Sequence, residues 1–441
     1  MARRTPTLSE QVRCLAKLKR TASEELGLPI NHIIFRHLDR LEKHWDHGLY
    51  QQVQRCLKRL RAERDKLDCI GHHIPPQGVF DGGDVFLGEA PTPHGTPTRV
   101  IADSNDCPTH WLVPGAPGVG KTTFVRVFLK HLVAVRPEIA VIIWDPVQGY
   151  AELCRDPATW VNIAWHEVRI NPLRAPVGYL YELWKPQKAD ALGGRSELLH
   201  GRYLVLKRLD RQFEEAGVPE RDDGKCPVPS LFDLRDDLAR NREKPGSRDE
   251  GYRAAALNLI EGRIRTTGGH VYDCARGMED YLTSTRVHMD MHGLSPPESV
   301  EFFETSLIHH LYCRRSLEPL VEPPVLDALS VAEEAQVLLG RHAHTNIALY
   351  QEILLKSRSQ GTGFLFVVQD LEDIDRRVLS AISNFAIFRQ ASATNKRLAR
   401  DLLDLSPREA ELLGRLPTGE CFVKMGGHKR WPFPFLMRVI P

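Results

Sequence analysis

The run Gly115-Ala116-Pro117-Gly118-Val119-Gly120-Lys121-Thr122 has the spacing GxxxxGK[ST], which suits a phosphate-binding loop. Gly115, Gly118 and Gly120 permit backbone conformations that a Cβ opposes, so consecutive N–H groups can turn toward phosphate oxygens. A helix beginning at Lys121 adds the positive end of its dipole. Lys121 is then expected to reach the β- and γ-phosphates of ATP, and Thr122 to ligate Mg²⁺. Ala116, Pro117, Val119 and Thr123 complete the nucleotide-facing stretch. The chemistry this predicts is binding and hydrolysis of a nucleoside triphosphate.

Hydrolysis also needs a carboxylate at the end of another strand. Leu329-Ser-Val-Ala-Glu333-Glu334-Ala335-Gln336 offers two. Glu333 would stand at the metal end, through water, and Glu334 would orient the attacking water. Adjacent acids also make an ordinary exposed strand cap, and spacing favours the site without closing that alternative. Asp327 lies at or just before this strand, either marking its start or competing as the acid in another register. Gln369 ends the apolar run Phe364–Val368; it could sense a γ-phosphate or simply face solvent. Arg358, ahead of that run, could stabilise transition-state charge across a subunit boundary or could be one of many surface arginines.

These residues need a parallel sheet to hold them. Trp111–Val113 reads as a strand entering the loop, and Thr123–Val133 as the helix leaving it. Further strands are predicted at Ala140–Trp144, Val168–Ile170, Val287–Met291, Ala328–Ala332, Gly363–Val368, Phe385–Phe388 and Cys421–Met425, with an extended segment from Trp431. Alternation of such runs with helices predicts an α/β RecA-like P-loop core with a mainly parallel sheet covered on both faces. The core is assigned to 110–174 and 286–441, interrupted by a charged helical insertion at 175–285. Residues 71–109, rich in Gly, Pro and Asp, read as a β-rich strap. Residues 1–70 read as an N-terminal helical segment for docking or oligomerisation, with Leu38, Leu41, Trp45 and Leu49 at helical spacing.

Bulk properties exclude several classes. The 441 residues are 42% hydrophobic and 26% charged with net charge +2, an ordinary globular balance that does not mark a nucleic-acid binder. Met1–Asp68 is the basic part, with 15 Lys/Arg against 9 Asp/Glu, which fits a DNA-contacting face or a solvated one. Nine scattered cysteines without a CxxC pair suit free thiols in a reducing compartment. Cys69-Ile-Gly-His72-His73 lacks a second ligand pair at zinc spacing. No apolar h-region follows Met1, and no run nears the ~18 apolar residues of a membrane span. A cytoplasmic protein without membrane insertion is expected.

Taken in order, the motifs resemble the HerA/FtsK superfamily of ring-forming motors, which includes conjugative transfer ATPases. His110-Trp-Leu-Val-Pro-Gly is similar to the family's entry into its P-loop, and Ile143-Trp-Asp145-Pro146 to its strand ending in Asp-Pro. Ile170-Asn-Pro-Leu173 resembles its Asn-Pro-Leu turn, and Ala332-Glu333-Glu334-Ala335-Gln336 its acidic strand end. Lys356-Ser-Arg358-Ser-Gln-Gly361, Val367-Val368-Gln369 and Leu416-Pro-Thr-Gly419-Glu420 follow in family order. Glu333 departs from the commoner Asp. The β-barrel of HerA, the membrane anchor of FtsK and coupling proteins, and the winged helix of FtsK have no counterpart in the residues read.

The resemblance implies a homohexameric ring with ATP and Mg²⁺ at subunit interfaces, Arg358 supplied in trans, and translocation of double-stranded DNA through a pore. A separate nuclease or effector partner is expected, because no nuclease, protease or transferase motif is found. The alternatives are an ATP-gated assembly platform in a defence complex and a secretion motor that moves protein.

Overall fold

The structure is a computed structural model of the whole chain. It describes residues 7–441 except 27–29, 31, 71–72, 93–95, 105–108, 194–198, 268, 273–284, 321–323, 341–346 and 427–430. The described residues form two compact units, Met1–Ile74 with Pro91–Thr96, and Pro75–Ala90 with Pro97–Pro441.

The first unit holds helices α1 (Leu8–Arg20), α2 (Ile33–Lys43) and α3 (His47–Cys69), with a π-helical turn Thr21–Glu25 after α1. Its core is the apolar stripe read in the sequence: Leu38 and Leu41 on α2 pack with Val53 and Leu57 on α3, and with Leu15, Leu18 and Ala22. The break at Asp46-His47-Gly48 has a local cause. Asp46 caps α3, its Oδ1 accepting from Gly48 N at 2.8 Å and Leu49 N at 3.3 Å. His72 of the Cys69–His73 cluster lies outside the described residues.

The second unit is built on one sheet. In chain order its elements are β1 (Val85–Ala90), β2 (Thr98–Ala102), β3 (Trp111–Pro114), α4 (Lys121–Val135), β4 (Ala140–Asp145) and β5 (Val161–Ala164). Four helices follow: α5 (Tyr181–Gly193), α6 (Leu199–Glu215), α7 (Leu231–Arg240) and α8 (Arg248–Thr266). Then come β6 (Arg286–Asp290), α9 (Pro297–Arg315), β7 (Ala328–Ala332), α10 (Gln336–Leu339), α11 (Ile347–Ser357) and β8 (Thr362–Val368). The unit ends with α12 (Arg376–Leu379), β9 (Asn384–Phe388), α13 (Ala393–Leu403), α14 (Pro407–Leu413), β10 (Glu420–Met425) and β11 (Phe435–Arg438).

Strand order is β2-β1-β11-β10-β9-β3-β8-β7-β4-β6-β5. From β9 to β5 every pairing is parallel, whereas β10, β11, β1 and β2 continue the sheet antiparallel. This is the α/β P-loop core with flanking helices that the alternation predicts. α4 buries Phe124, Val125, Phe128 and Leu132 against the sheet, where Trp111 and Phe388 meet the same aromatic cluster. One strand differs from expectation. Val168–Ile170 is irregular backbone, and Ile170 N donates to Val271 O rather than to a ladder. The edge strand is instead Val161–Ala164, whose half-exposed residues give little apolar signal.

The insertion carries a buried cation. Lys188 on α5 is 3% exposed and lies 4.2 Å from the Trp184 ring, near His309 and Cys313 of α9. Burial pulls its ammonium down to about 7. Unfolded, it would hold its proton up to about pH 10.4, so over that window the unfolded chain binds more protons and stability rises with pH. The penalty is present in full below about pH 7. Denaturant unfolding at pH 7 and 9 is therefore expected to differ in slope between wild type and Lys188→Met, by up to ~1.4 kcal/mol per pH unit. Equal slopes would place the charge in contact with water.

Candidate functional site

The glycine loop leaves the C-terminal end of β3 and enters α4 directly. Gly118 (φ +72°) and Gly120 (φ +108°) occupy backbone regions that L side chains rarely adopt. Gly115 does not need that freedom. Its requirement is steric, because a Cβ there would sit 2.7 Å from Phe388 Cβ at the end of β9. Neighbouring strand ends hold the loop: Gly115 N donates to Val368 O at 3.2 Å, and Ala116 N to Arg389 O at 3.2 Å. The Leu416–Glu420 turn braces its far side, with Gly419 N donating to Val119 O at 2.9 Å. A Cβ on Gly120 would meet Gly419 Cα at 3.2 Å, so the glycine at 120 allows that approach.

Lys121 is 9% exposed and folds back over its own loop, Nζ donating to Gly115 O at 2.5 Å and Ala116 O at 3.1 Å. Burial holds its ammonium below the usual lysine range, opposed by the carboxylates of Glu333, Glu334 and Asp370. The carbonyl bonds keep the cation in place and can be exchanged for phosphate oxygens.

Glu333 and Glu334 follow β7, two strands from β3. Glu333 is buried at 7% exposure, and its N–H donates to Trp144 O at 3.1 Å. Its Oε2 accepts from Tyr150 Oη at 2.5 Å. Burial pushes this carboxyl above the usual range, while the Tyr150 hydroxyl and Lys121 pull it back. Glu334 is half-buried with φ +53°, a left-handed conformation outside glycine's usual monopoly. Such strain costs of order 1–3 kcal/mol and concentrates at functional sites. Gln369, at the tip of β8, reaches Glu334 Oε1 through Nε2 at 3.4 Å. The structure thus brings Lys121, Glu333, Glu334 and Gln369 to one end of the sheet. Asp327 precedes β7 at the opposite end and does not compete.

A scaffold behind these residues is only partly marked by a motif. Asp145, fully buried at the end of β4, accepts from Gly149 N and Tyr150 N, each at 2.9 Å, and from His288 Nε2 at 3.0 Å. Burial raises its carboxyl, but the bonds from His288, Tyr150 and Gly149 outweigh that and hold it below the usual range. The Asp145–Tyr150 turn therefore delivers Tyr150 to Glu333. It also sets Gly149 beside Thr122, where a Cβ would lie 3.2 Å from Thr122 Cγ2. Asp145 was visible as part of an Asp-Pro strand end; Tyr150, five residues on, was not.

Arg358 stands elsewhere. It opens the exposed 3₁₀ turn Arg358–Gln360 at the N-terminal end of β8. β8 runs parallel to β3, so its seven residues separate Arg358 from this chain's own loop by about 20 Å. His110 pins the arginine segment: Nε2 donates to Leu354 O at 2.7 Å, and Nδ1 accepts from Phe364 N at 3.1 Å. That pattern requires a neutral ring, and burial holds its pKa down to about 4.

The loop amides and Lys121 offer N–H donors suited to phosphate oxygens, and the Thr122 hydroxyl and Glu333 carboxyl offer hard oxygen ligands, a combination that fits ATP with Mg²⁺. No helix among the described residues is long and apolar enough to cross a membrane.

Residues 85–193 match the family model described as the central domain of helicase HerA. The DNA double-strand break repair helicase HerA of Sulfolobus acidocaldarius is 24% identical over 368 residues, covering 78% of this chain and 67% of that protein. Its counterpart in Sulfurisphaera tokodaii is 23% identical, covering 80% and 69%. Among solved structures, VirB4 of Thermoanaerobacter pseudethanolicus superposes with a TM-score of 0.65 at 18% identity, over 82% of this chain and 97% of that one. The plasmid coupling protein TrwB in complex with ADP and Mg²⁺ superposes with a TM-score of 0.56 at 14% identity, over 77% and 87%. The seven-strand parallel run and the glycine loop with its acidic neighbour strand make this chain a P-loop ATPase, similar in its matched central domain to helicase HerA.

Proposed function

We propose that the chain forms a homohexameric ring that couples ATP hydrolysis to translocation of double-stranded DNA in the cytoplasm, with a separate nuclease or effector as partner. The observation that carries this reading is the separation of Arg358 from its own loop by the length of β8. A guanidinium placed there is out of reach of its own nucleotide, which supports a site completed by a neighbouring subunit in a ring. In each site Lys121 and the loop amides would bind the phosphates, Thr122 and Glu333 would hold Mg²⁺, and Glu334, steadied by Gln369, would orient the attacking water. When bound, Mg²⁺ would supply neutralisation of phosphate charge. The helices of residues 1–70 supply a basic docking surface, and the names of the HerA relatives support DNA as the cargo.

The test is the ATPase rate with and without long double-stranded DNA, beside Glu334→Gln as the inactive control. Several-fold stimulation by DNA is expected. A rate indifferent to DNA, together with nucleotide-dependent assembly, would instead indicate a platform, and a response only to a secretion partner would indicate a protein cargo.

Tyr150→Phe tests the metal assignment. It removes the donor that pulls the Glu333 carboxyl toward its ionised form, a bond worth enough to raise the Mg²⁺ requirement roughly tenfold. Loss of that bond lets the Glu333 pKa climb further, so the defect is expected to be larger at pH 6 than at pH 8. An unchanged Mg²⁺ titration would remove Glu333 from the metal site.

A further inference from the structure

His288 lies on β6, the strand between β4 and β5, with 3% of its surface exposed. Both of its ring nitrogens are engaged. Nε2 is 3.0 Å from Asp145 Oδ2, and Nδ1 is 2.8 Å from Asn162 Oδ1. The groups that flank the ring decide where its protons sit.

On the inner side stands Asp145, fully buried at the end of β4. Its Oδ1 accepts from Gly149 N at 2.9 Å and Val147 N at 3.3 Å, and its Oδ2 accepts from Tyr150 N at 2.9 Å. These partners are all donors and leave nothing to receive a carboxyl proton, so Asp145 is ionised and His288 Nε2 must bear the hydrogen between them. On the outer side the amide of Asn162 has a fixed orientation. Its Nδ2 donates to Cys154 O at 2.9 Å, a bond that the flipped amide would replace with two facing oxygens. Oδ1 therefore faces the ring. It can only accept, so Nδ1 must carry a proton as well. An imidazole protonated on both nitrogens is a cation. The interior favours this outcome, because an ionised Asp145 without a counter-charge would be costly.

We propose that His288 is a buried imidazolium, fixed in that state by Asn162 at the sheet edge, and that it is a positioning residue for the metal end of the ATPase site. It acts through two others. His288 neutralises Asp145, Asp145 closes the turn that carries Tyr150, and Tyr150 Oη donates to Glu333 Oε2. The same turn sets Gly149 beside Thr122. The positioning role rests on the reading of Thr122 and Glu333 as the Mg²⁺ residues; the charge on the ring does not.

The test starts with the full chain carrying isotopically labelled histidine. Its ring nitrogens are read by solid-state NMR at pH 7, and the spectrum of His288→Gln assigns the signals by difference. Two protonated nitrogens are expected at His288; one protonated and one bare nitrogen would overturn the proposal. Mg²⁺ titration of ATP hydrolysis tests the role. His288→Gln keeps an N–H for Asp145 but no charge, and should raise the Mg²⁺ requirement about tenfold, the lower end for groups behind metal ligands. The Asn162 variants lie on an exposed edge strand and spare the core. Asn162→Leu removes the acceptor, so the ring should lose one proton and the requirement should rise about threefold, the scale of one hydrogen bond. Asn162→Asp keeps an acceptor for Nδ1 while losing the donor to Cys154. It should retain both ring protons and the wild-type requirement. Equal defects in the two Asn162 variants would make that residue a brace for Cys154 alone and overturn the proposal. If Tyr150→Phe shifts the titration and His288→Gln does not, the positioning role fails. If neither does, the reading of Glu333 falls and takes that role with it, while the spectrum still decides the charge on the ring.

Discussion

Glu334→Gln is expected to lower the turnover number for ATP ~10²–10⁴-fold, the range for loss of a positioned base, while nucleotide affinity stays within about threefold. The two effects separate because Glu334 touches none of the groups that would grip the phosphates. Lys121 is held by Gly115 and Ala116, and the loop is braced by Val368, Arg389 and Gly419. Glutamine keeps the shape and the Oε1 that Gln369 reaches, so only the charge is lost. The neighbouring acid provides the contrast. Glu333 is buried behind Tyr150, and its removal would disturb the turn as well as the chemistry. A companion variant uses the backbone. At φ +53°, Glu334→Gly relieves strain of order 1–3 kcal/mol, so it should melt at a higher temperature while being as inactive as the glutamine variant. Single-turnover hydrolysis, equilibrium binding of a labelled nucleotide and thermal melting would decide this together. Wild-type hydrolysis by Glu334→Gln would end the assignment.

That prediction could be framed from the sequence because the residues concerned sit at strand ends, where apolar runs stop abruptly. Ala328–Ala332 and Gly363–Val368 are buried on both faces, so their termini could be read to within a residue, and with them Glu333, Glu334 and Gln369. The edge strand Val161–Ala164 has half its surface in water, and its pattern resembles a loop. Tyr150 was invisible for a different reason. Its role depends on a turn closed by a buried aspartate, and a bond across 183 residues leaves no local trace. Gly115 was assigned a conformational need when its need is steric, since contact with Phe388 on β9 exists only once the sheet is assembled.

Arg358→Ala is expected to reduce steady-state ATP hydrolysis ~10³-fold or more, the scale of a missing arginine finger, and to spare binding. On its own that loss would not say which subunit uses the guanidinium; mixing would. Lys121→Ala subunits keep Arg358 but cannot hold phosphate, and Arg358→Ala subunits have the converse defect. If each site pairs one subunit's loop with its neighbour's arginine, a ring of the two variants regains sound sites wherever an Arg358→Ala loop faces a Lys121→Ala arginine. Equimolar mixing should then restore a substantial fraction of wild-type hydrolysis, and restoration should vanish at dilutions that dissociate the ring. If the arginine served its own loop, every subunit in the mixture would carry one lesion and no ratio would rescue turnover. The geometry argues for the first outcome on distance alone. An extended arginine side chain spans ~7 Å, and ~20 Å of β8 lies between. Rescue also separates this role from a structural one, because a variant that had merely unfolded the His110-anchored turn could not donate a working loop to its neighbour.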